Sequence, residues 1–569
     1  MSAAEQASRG SSATTVDPIT VMVIGGALNS IAIDMGYRLA RMSYSSIIRE
    51  SEDFGCAICD SEGRQLCEAT QSTPLQSGPI AGYLAGIERR FAELGDAWRP
   101  GDVVVHNHPY YGSSHQPDVA FCVPVFRDEE LIGFSVTTAH HLDLGALTPG
   151  SCGIVNATDT FAEGLLLNAV RVEEAGERVE SAWRIIADNT RIPRLVLGDM
   201  EAQVAAAKLG AARYAELVES FGLDAVRAAS EHLMDHSERM LRNQIEKLPD
   251  GRYEAEGMID GFLDHPDPTY RNLKIKVAVT VDGSDLHVDL DGTSPEVDLP
   301  INMPFVGTVD VAIYMTLRSL LLDTEHHDAV STNSGLFRPI AISAPLGCLA
   351  NPRFPAPTIA RFCPGNIVAD TLMRAMAQII PERVAAGVGN LKVVAFSGAE
   401  DGAAWVYMDI IEGSYGGRRG KDGLDAVDTL YANTRNNPVE DIESHYPLRV
   451  TRYELRDEGA GAGRWRGGLG SIREFEFLAD GGFSLEGDGN AIPPPGLFGG
   501  GPGRPGEVTM NPGTDAEEAL PSKIPYRSVR KGEVLRLLAP CGGGYGDPAE
   551  RDAAALGRDA ADGIAMGSA

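Results

Sequence analysis

V-H-N-H-P-Y-Y-G-S-S-H-Q-P-D-V at 105–119 and A-H-H-L-D-L-G at 139–145 bring imidazoles, carboxylates and tight turns into one short region of the 569-residue chain. Between them the apolar runs 121–126 and 131–136 read as buried strands ending beside the polar cluster, and such strands would hold ligands rigidly. Pro117, between His115 and Asp118, restricts φ and favours extended backbone in the residue before it, so the H-x-P-D turn fixes where both side chains point. Neutral imidazoles with ionised carboxylates form a borderline-hard donor set suited to Zn²⁺, Mn²⁺ or Fe²⁺, and a catalytic version leaves one position open. A hydrogen-bonded structural cluster uses the same residues at the same spacing, and is the alternative the spacing leaves open.

Outward from this region, Asp17-Pro18 predicts a capped helix start, with apolar spacing to about Met42. S-I-I-R-E-S-E-D-F-G-C-A-I-C-D at 46–60 carries Glu50, Glu52 and Asp53 ahead of a strand, and S-E-G-R at 61–64 turns into a second. Cys56 and Cys59 form a lone C-x₂-C that reads as buried small side chains. E-G-L-L-L at 163–167 is a loop leading to the strand A-V-R-V at 169–172. Residues 199–248 are helical with a break near Gly222, and His232 and His236 there lack the Glu of H-E-x-x-H, so they read as a solvated or packed face.

At 251–293 the period changes to two, a β-meander with Asp282-Gly283 as a hairpin signal. Helices are expected at 311–322 and 366–380, the second preceded by C-P-G at 363–365 as a break. The last third is glycine-rich. G-S-Y-G-G-R-R-G-K-D-G at 413–423, G-R-W-R-G-G-L-G at 463–470, G-L-F-G-G-G-P-G at 496–503 and C-G-G-G-Y-G-D-P at 541–548 read as turns between short strands. None is a Walker loop: Lys421 is followed by Asp422, not Ser or Thr, so no nucleotide site is expected.

The predicted class is α+β, with several β-rich layers, long helices and a glycine-rich β C-terminal region. Its divisions fall at a disordered 1–16, a metal-bearing 17–200, a helix and meander 201–400, a β region 401–550 and a flexible tail 551–569. A net charge of −31, from 49 Lys+Arg against 80 Asp+Glu, argues against a nucleic-acid backbone or an anionic membrane as partner. Eight cysteines without paired zinc spacing, and no secretory pattern at the N-terminus, point to a reducing cytoplasm. The apolar stretch 19–33 is broken by Gly25, Gly26, Asn29 and Ser30, so no membrane span is expected.

Several fragments recur together: E-S-E-D-F-G-C-A, H-P-Y-Y-G-S-S-H-Q-P-D-V, A-H-H-L-D-L-G with P-G-S, N-T-R-I-P with G-D-M-E-A-Q, and H-Y-P-L-R-V-T-R-Y-E-L-R. With G-A-G-R-W-R-G-G-L-G, P-P-G-L-F-G-G-G-P-G and G-G-G-Y-G-D-P, they cover nearly the whole chain and resemble, in order, the hydantoinase B/oxoprolinase family. That family also contains subunits of acetone and acetophenone carboxylases. The resemblance implies a hetero-oligomer in which a hydantoinase A-type subunit uses ATP and Mg²⁺ to phosphorylate the carbonyl of a small cyclic amide or ketone. The B-type chain then carries one divalent metal, zinc first, with manganese or iron as alternatives.

The ligands it implies are His115, Asp118 and His140, with Asp53 as the fourth and Glu50 as the competing acid. Glu50, His141 and Asp143 are the catalytic candidates, Glu50 or Asp143 for proton transfer and His141 and Asp143 for orienting a ligand imidazole. The implied reaction is ring opening by a metal-bound hydroxide at the phosphorylated carbonyl, as in hydantoinase, 5-oxoprolinase or lactamase chemistry. The alternatives are a ketone carboxylase subunit or a non-catalytic scaffold. Two positions depart from the family pattern: His108 stands where an Asp is usual, and Gln76 where a His is common.

Overall fold

The computed structural model describes residues 16–566 apart from 328–329, 401, 429 and 431. The expectation of disorder for residues 1–15 lies outside them. Asp17 caps α1 (Pro18–Met42), its Oδ1 accepting from the N–H groups of Ile19 and Thr20 at 3.1 Å. By length and composition α1 would reach across a bilayer, because isolated Gly, Asn and Ser residues barely lower its mean hydropathy. Its stripe of Val21, Ile24, Leu28, Ile31, Met35 and Leu39 is instead spent on the protein core.

That stripe packs near an antiparallel sheet built from β1 (Phe54–Asp60), β2 (Gln65–Glu68), β3 (Val103–His106), β4 (Asp118–Arg127), β5 (Glu130–His140), β6 (Val170–Glu174) and β7 (Glu177–Arg178). Its strand order is β2-β1-β5-β4-β3-β6-β7. Both central strands are buried on two faces and read as continuous apolar runs, as the sequence suggests. One face is covered by α6 (Pro193–Phe221), which crosses β4 and β5 beside α1, with α5 (Glu180–Asp188) ahead of it. The short α2 (Ser46–Arg49) and α3 (Pro74–Ser77) flank β1, and α4 (Ile80–Leu94) packs on the other face through Ile80, Tyr83, Leu84, Ile87 and Phe91. Gly222, at φ 81°, breaks α6 from α7 (Leu223–Ile245). The division expected at 200 therefore falls inside α6.

The meander forms as expected: β8 (Gly251–Gly261), β9 (Arg271–Asp282) and β10 (Asp285–Asp289) pair antiparallel, with Asp282 opposite Asp285 around Gly283 at φ 58°. A parallel β11 (Ile340–Ser343) joins the edge, and α8 (Asp310–Leu321) and α9 (Phe362–Met376) follow in the same core. The start expected for α9 is corrected. C-P-G lies inside its first turn, where Pro364 has no intrahelical N–H to lose, and the Cys363 N–H donates to Glu486 Oε1 at 2.8 Å.

Two C-terminal sheets share one core of Val394, Phe396, Phe475, Phe483, Leu485 and Leu537. One contains β12 (Lys392–Glu400), β13 (Ala403–Ile411), β17 (Gly481–Gly487) and β20 (Lys523–Val529); the other contains β14 (Leu448–Leu455), β16 (Ser471–Phe477), β18 (Glu507–Met510), β19 (Glu518–Ala519) and β21 (Val534–Leu538). The division expected at 400 falls in the β12–β13 hairpin. Helix α10 (Val439–His445) leans back on the N-terminal region through Asp441 and Arg49, 2.6 Å apart. The glycine-rich segments lie backbone against backbone: a Cβ on Gly467 would stand 1.8 Å from the Gly542 carbonyl oxygen. The tail differs from expectation. Asp552 caps α11 (Ala553–Ala561), and the strands β15 (Glu458–Ala460) and β22 (Ala565–Met566) pair in parallel. Arg551 and Arg466 both bond buried Asp559, and Arg551 also reaches Asp422 at 2.7 Å. These charge-assisted contacts dock a segment whose Ala/Asp composition alone reads as frayed.

Candidate metal centre

Sheet register builds the cluster. Asp118 at the start of β4 is the direct partner of His140 at the end of β5, while Phe54 pairs with Ala139, so Asp53 lies just ahead of β1 beside His140. The His140 N–H donates to the Asp53 carbonyl at 3.2 Å. His115 sits in the turn before β4, with the Asp118 N–H donating back to its carbonyl, so the H-x-P-D turn aims both side chains at one point. Asp118 Oδ1 lies 3.1 Å from His115 Nε2 and 3.0 Å from His140 Nδ1, and Asp53 Oδ2 lies 4.0 Å from the latter. All four side chains are buried.

The hydrogen-bond network sets the His115 tautomer. His115 Nδ1 lies 2.9 Å from the Ile359 carbonyl, which can only accept, so this nitrogen carries the proton. Nε2 then presents a lone pair toward Asp118, and it makes no hydrogen bond despite being buried. At His140 two tautomers are open: Nε2 lies 2.7 Å from Ser151 Oγ, whose hydroxyl can donate to it or to Met408 Sδ at 3.2 Å, and only with Nε2 protonated does Nδ1 offer its lone pair to the carboxylates. In that tautomer two nitrogen lone pairs and a carboxylate oxygen face one another at this range and repel unless a proton or a metal cation lies among them. The residues present therefore fit a divalent ion.

The surroundings keep Asp118 ionised. Burial tends to raise the Asp118 carboxyl, but His115, His140 and Arg361 outweigh it and hold Asp118 well below the usual carboxylate range. Arg361, itself buried, reaches Asp118 Oδ2 at 2.8 Å, Ser114 Oγ bonds the same oxygen, and Gln76 Nε2 donates to Oδ1 at 2.6 Å. Burial, helped by Arg361, pushes His115 down to about 4, keeping its ring neutral. Burial and the neighbouring Asp118 charge raise Asp53 to about 6, against the pull of His140.

His115, His140 and Cys152 also offer one ligand atom each within 4.8 Å of one another. Cys152 Sγ lies 4.0 Å from His115 Nδ1, the nitrogen committed to Ile359. The carboxylate of Asp118 instead faces His115 Nε2 and His140 Nδ1.

The structure thus brings Asp53, His115, Asp118 and His140 together. The other three expected residues lie apart from that point. Glu50 is half-buried behind α2 and ion-paired with Arg49 at 2.7 Å. Asp143 is buried but committed to Arg191, whose side chain and N–H both reach it at 2.6 Å, which anchors the N-T-R-I-P loop. His141 points to α6, where Nε2 meets Gln203 Oε1 at 2.8 Å and Nδ1 has no hydrogen-bond partner. His108 lies in an aromatic cluster with Tyr110, Tyr111 and Phe354, and burial lowers it to about 4. The sequence does not single out Arg361, Ser114 or Ser151 as functional: Ser114 and Ser151 lie inside quoted fragments without a role, and no local pattern marks Arg361, which acts on a partner 243 positions away.

With this geometry in hand, comparison with known proteins is decisive. A family model described as hydantoinase B/oxoprolinase matches residues 17–548. The chain belongs to that family. It is 61% identical over 551 residues, 96% of this chain and 93% of the other, to a protein of Pseudomonas sp. (strain NS671) that bears the name of a D-/L-hydantoinase subunit. Among solved structures, the ATP-dependent caprolactamase from Pseudomonas jessenii matches with a TM-score of 0.88 at 27% identity, covering 97% of this chain and 95% of that one. A nucleotide-free acetone carboxylase structure shares the fold, with a TM-score of 0.87 at 17% identity over 96% of this chain and 78% of the other. Family members named hydantoinase, oxoprolinase or caprolactamase imply hydrolysis of cyclic amides, and a chain named as one subunit of such an enzyme implies a partner.

Proposed function

We propose that this hydantoinase B-family chain is the metal-bearing subunit of an ATP-dependent hydrolase of small cyclic amides of the hydantoin, 5-oxoproline or lactam class. The observation that carries it is the convergence of His115 Nε2 and His140 Nδ1 on Asp118 Oδ1. The family likeness supplies the reaction class and a hydantoinase A-type partner that phosphorylates the amide carbonyl with ATP and Mg²⁺. Asp53, His115, Asp118 and His140 would hold one divalent ion, zinc before manganese or iron. Such an ion polarises a carbonyl or phosphoryl oxygen and lowers the pKa of water.

The chain's own residues do the rest. Arg361 and Ser114 hold Asp118 Oδ2 so that Oδ1 faces the imidazoles. Ser151 fixes the His140 ring. Activation by phosphorylation is chemically sensible, because amide resonance makes an unactivated lactam a poor electrophile. Of the three catalytic candidates, His141 meets Gln203 on α6 through Nε2 and is kept for holding the strand end that carries His140. Glu50 and Asp143 are assigned to holding their own loops.

The test is elemental analysis of wild type and His140→Ala after dialysis, followed by turnover of hydantoins and lactams with ATP and the co-expressed partner. Near one metal per wild-type chain, lost in the variant with its fold intact, together with ATP-dependent ring opening, is the expected result. Turnover that requires bicarbonate and a ketone moves the chain to carboxylation. No metal in either protein moves it to a scaffold.

A further inference from the structure

Glu163 stands in the E-G-L-L-L loop, is 1% exposed and forms no ion pair among the described residues. Its Oε1 accepts two backbone N–H groups, from Thr358 at 2.5 Å and Ile359 at 2.7 Å. The same short segment carries two further contacts to the metal centre. The Ile359 carbonyl takes the His115 Nδ1 proton at 2.9 Å, and Arg361 reaches Asp118 Oδ2 at 2.8 Å. The turn that bears Glu163 is tied to the centre from the other side as well: the Thr160 N–H donates to the Pro355 carbonyl at 2.9 Å, and Gln116 Nε2 donates to the Thr160 carbonyl at 2.6 Å.

We propose that Glu163 is a positioning residue for the metal centre, holding the 358–361 segment so that Ile359 selects the His115 tautomer with Nε2 free. A carboxyl suits this task because one oxygen can serve two converging N–H donors while the other lies near the Thr160 and Thr358 hydroxyls, at 3.4 and 3.5 Å. Without it, two buried N–H groups lose their acceptor and the segment must shift to regain one. The role is indirect: the Glu163 carboxyl meets the 358–361 segment, and that segment meets His115 and Asp118. It rests on the reading of His115 as a ligand, but it makes a claim that is visible without metal.

The experiment uses the full chain labelled with ¹⁵N-histidine, metal-free, with His115 assigned by the signal missing in His115→Asn. Wild type should show one tautomer, protonated at Nδ1. Glu163→Ala should show mixed tautomers, with zinc affinity lowered about 10–100-fold as for other outer partners of metal ligands. Glu163→Ala that folds with the wild-type tautomer and affinity would overturn the proposal. Should that variant not fold, Glu163→Asp decides: its shorter reach should mix the tautomers, and an unchanged His115 signal overturns the role. A single wild-type tautomer lost in Glu163→Ala, with no zinc uptake by any form, would sink the metal reading and leave the positioning role standing.

Discussion

Asp118 and His140 are register partners on adjacent antiparallel strands, and Asp118 Oδ1 stands 3.0 Å from His140 Nδ1. Sheet pairing thus aligns an acid and an imidazole 22 residues apart in sequence. Asp118 also neutralises buried Arg361. Asp118→Asn should therefore do two things at once: abolish metal uptake, and destabilise the fold by up to about 3–5 kcal/mol, because the Arg361 guanidinium loses one buried carboxylate partner. Metal analysis and denaturant unfolding check both.

Ser151 acts on the centre only through His140 Nε2. Ser151→Ala should keep the fold and weaken zinc binding about 10–100-fold. Titration against a competing chelator measures this, and wild-type affinity in the variant would remove Ser151 from the site.

The Asp143 carboxylate is saturated by Arg191 and Thr190. Arg191→Met should lower stability by about 2 kcal/mol, the low part of the range for a broken buried pair because Arg191 is one-third exposed. Metal content per folded chain should not change. Loss of metal with unchanged unfolding would return Asp143 to the catalytic set.

Glu486 is buried, and desolvation raises its carboxyl to about 7 against the pull of Lys523 and Arg361. The folded chain then keeps a proton that the unfolded chain releases near 4.5. Between those values the folded state binds more protons, so this group's stabilising contribution is full below about 4.5 and is lost as pH rises to about 7. Glu486→Gln should remove that slope. Unfolding curves of wild type and variant that run parallel across the window would contradict the assignment.

Much of this was legible because it is local. The Asp17 cap, the alternation at 251–293 and the Gly222 break are set by neighbours in sequence, and each forms where its pattern says. The four residues that meet at the candidate centre were reachable through the H-x-P-D turn and the resemblance, which carried Asp53. Arg361, Ile359 and Glu163 were not, because their effect depends on one segment docking against a turn some 195 residues earlier. Asp143 misled for a related reason: A-H-H-L-D reads as one cluster, but the chain leaves the strand after His140 and carries the carboxylate to Arg191.

Helix α11 gives the order of chain synthesis a structural meaning. Arg466 and Asp422 sit in glycine-rich turns, and their partners Arg551 and Asp559 lie later in the chain. Until those residues leave the ribosome, Arg466 has Asp425 but not Asp559, Asp422 lacks the Arg551 guanidinium, and the stacked glycines have little side-chain surface with which to collapse. The C-terminal β region should therefore become protease-resistant late, and a short truncation before Arg551 should undo it far out of proportion to its length.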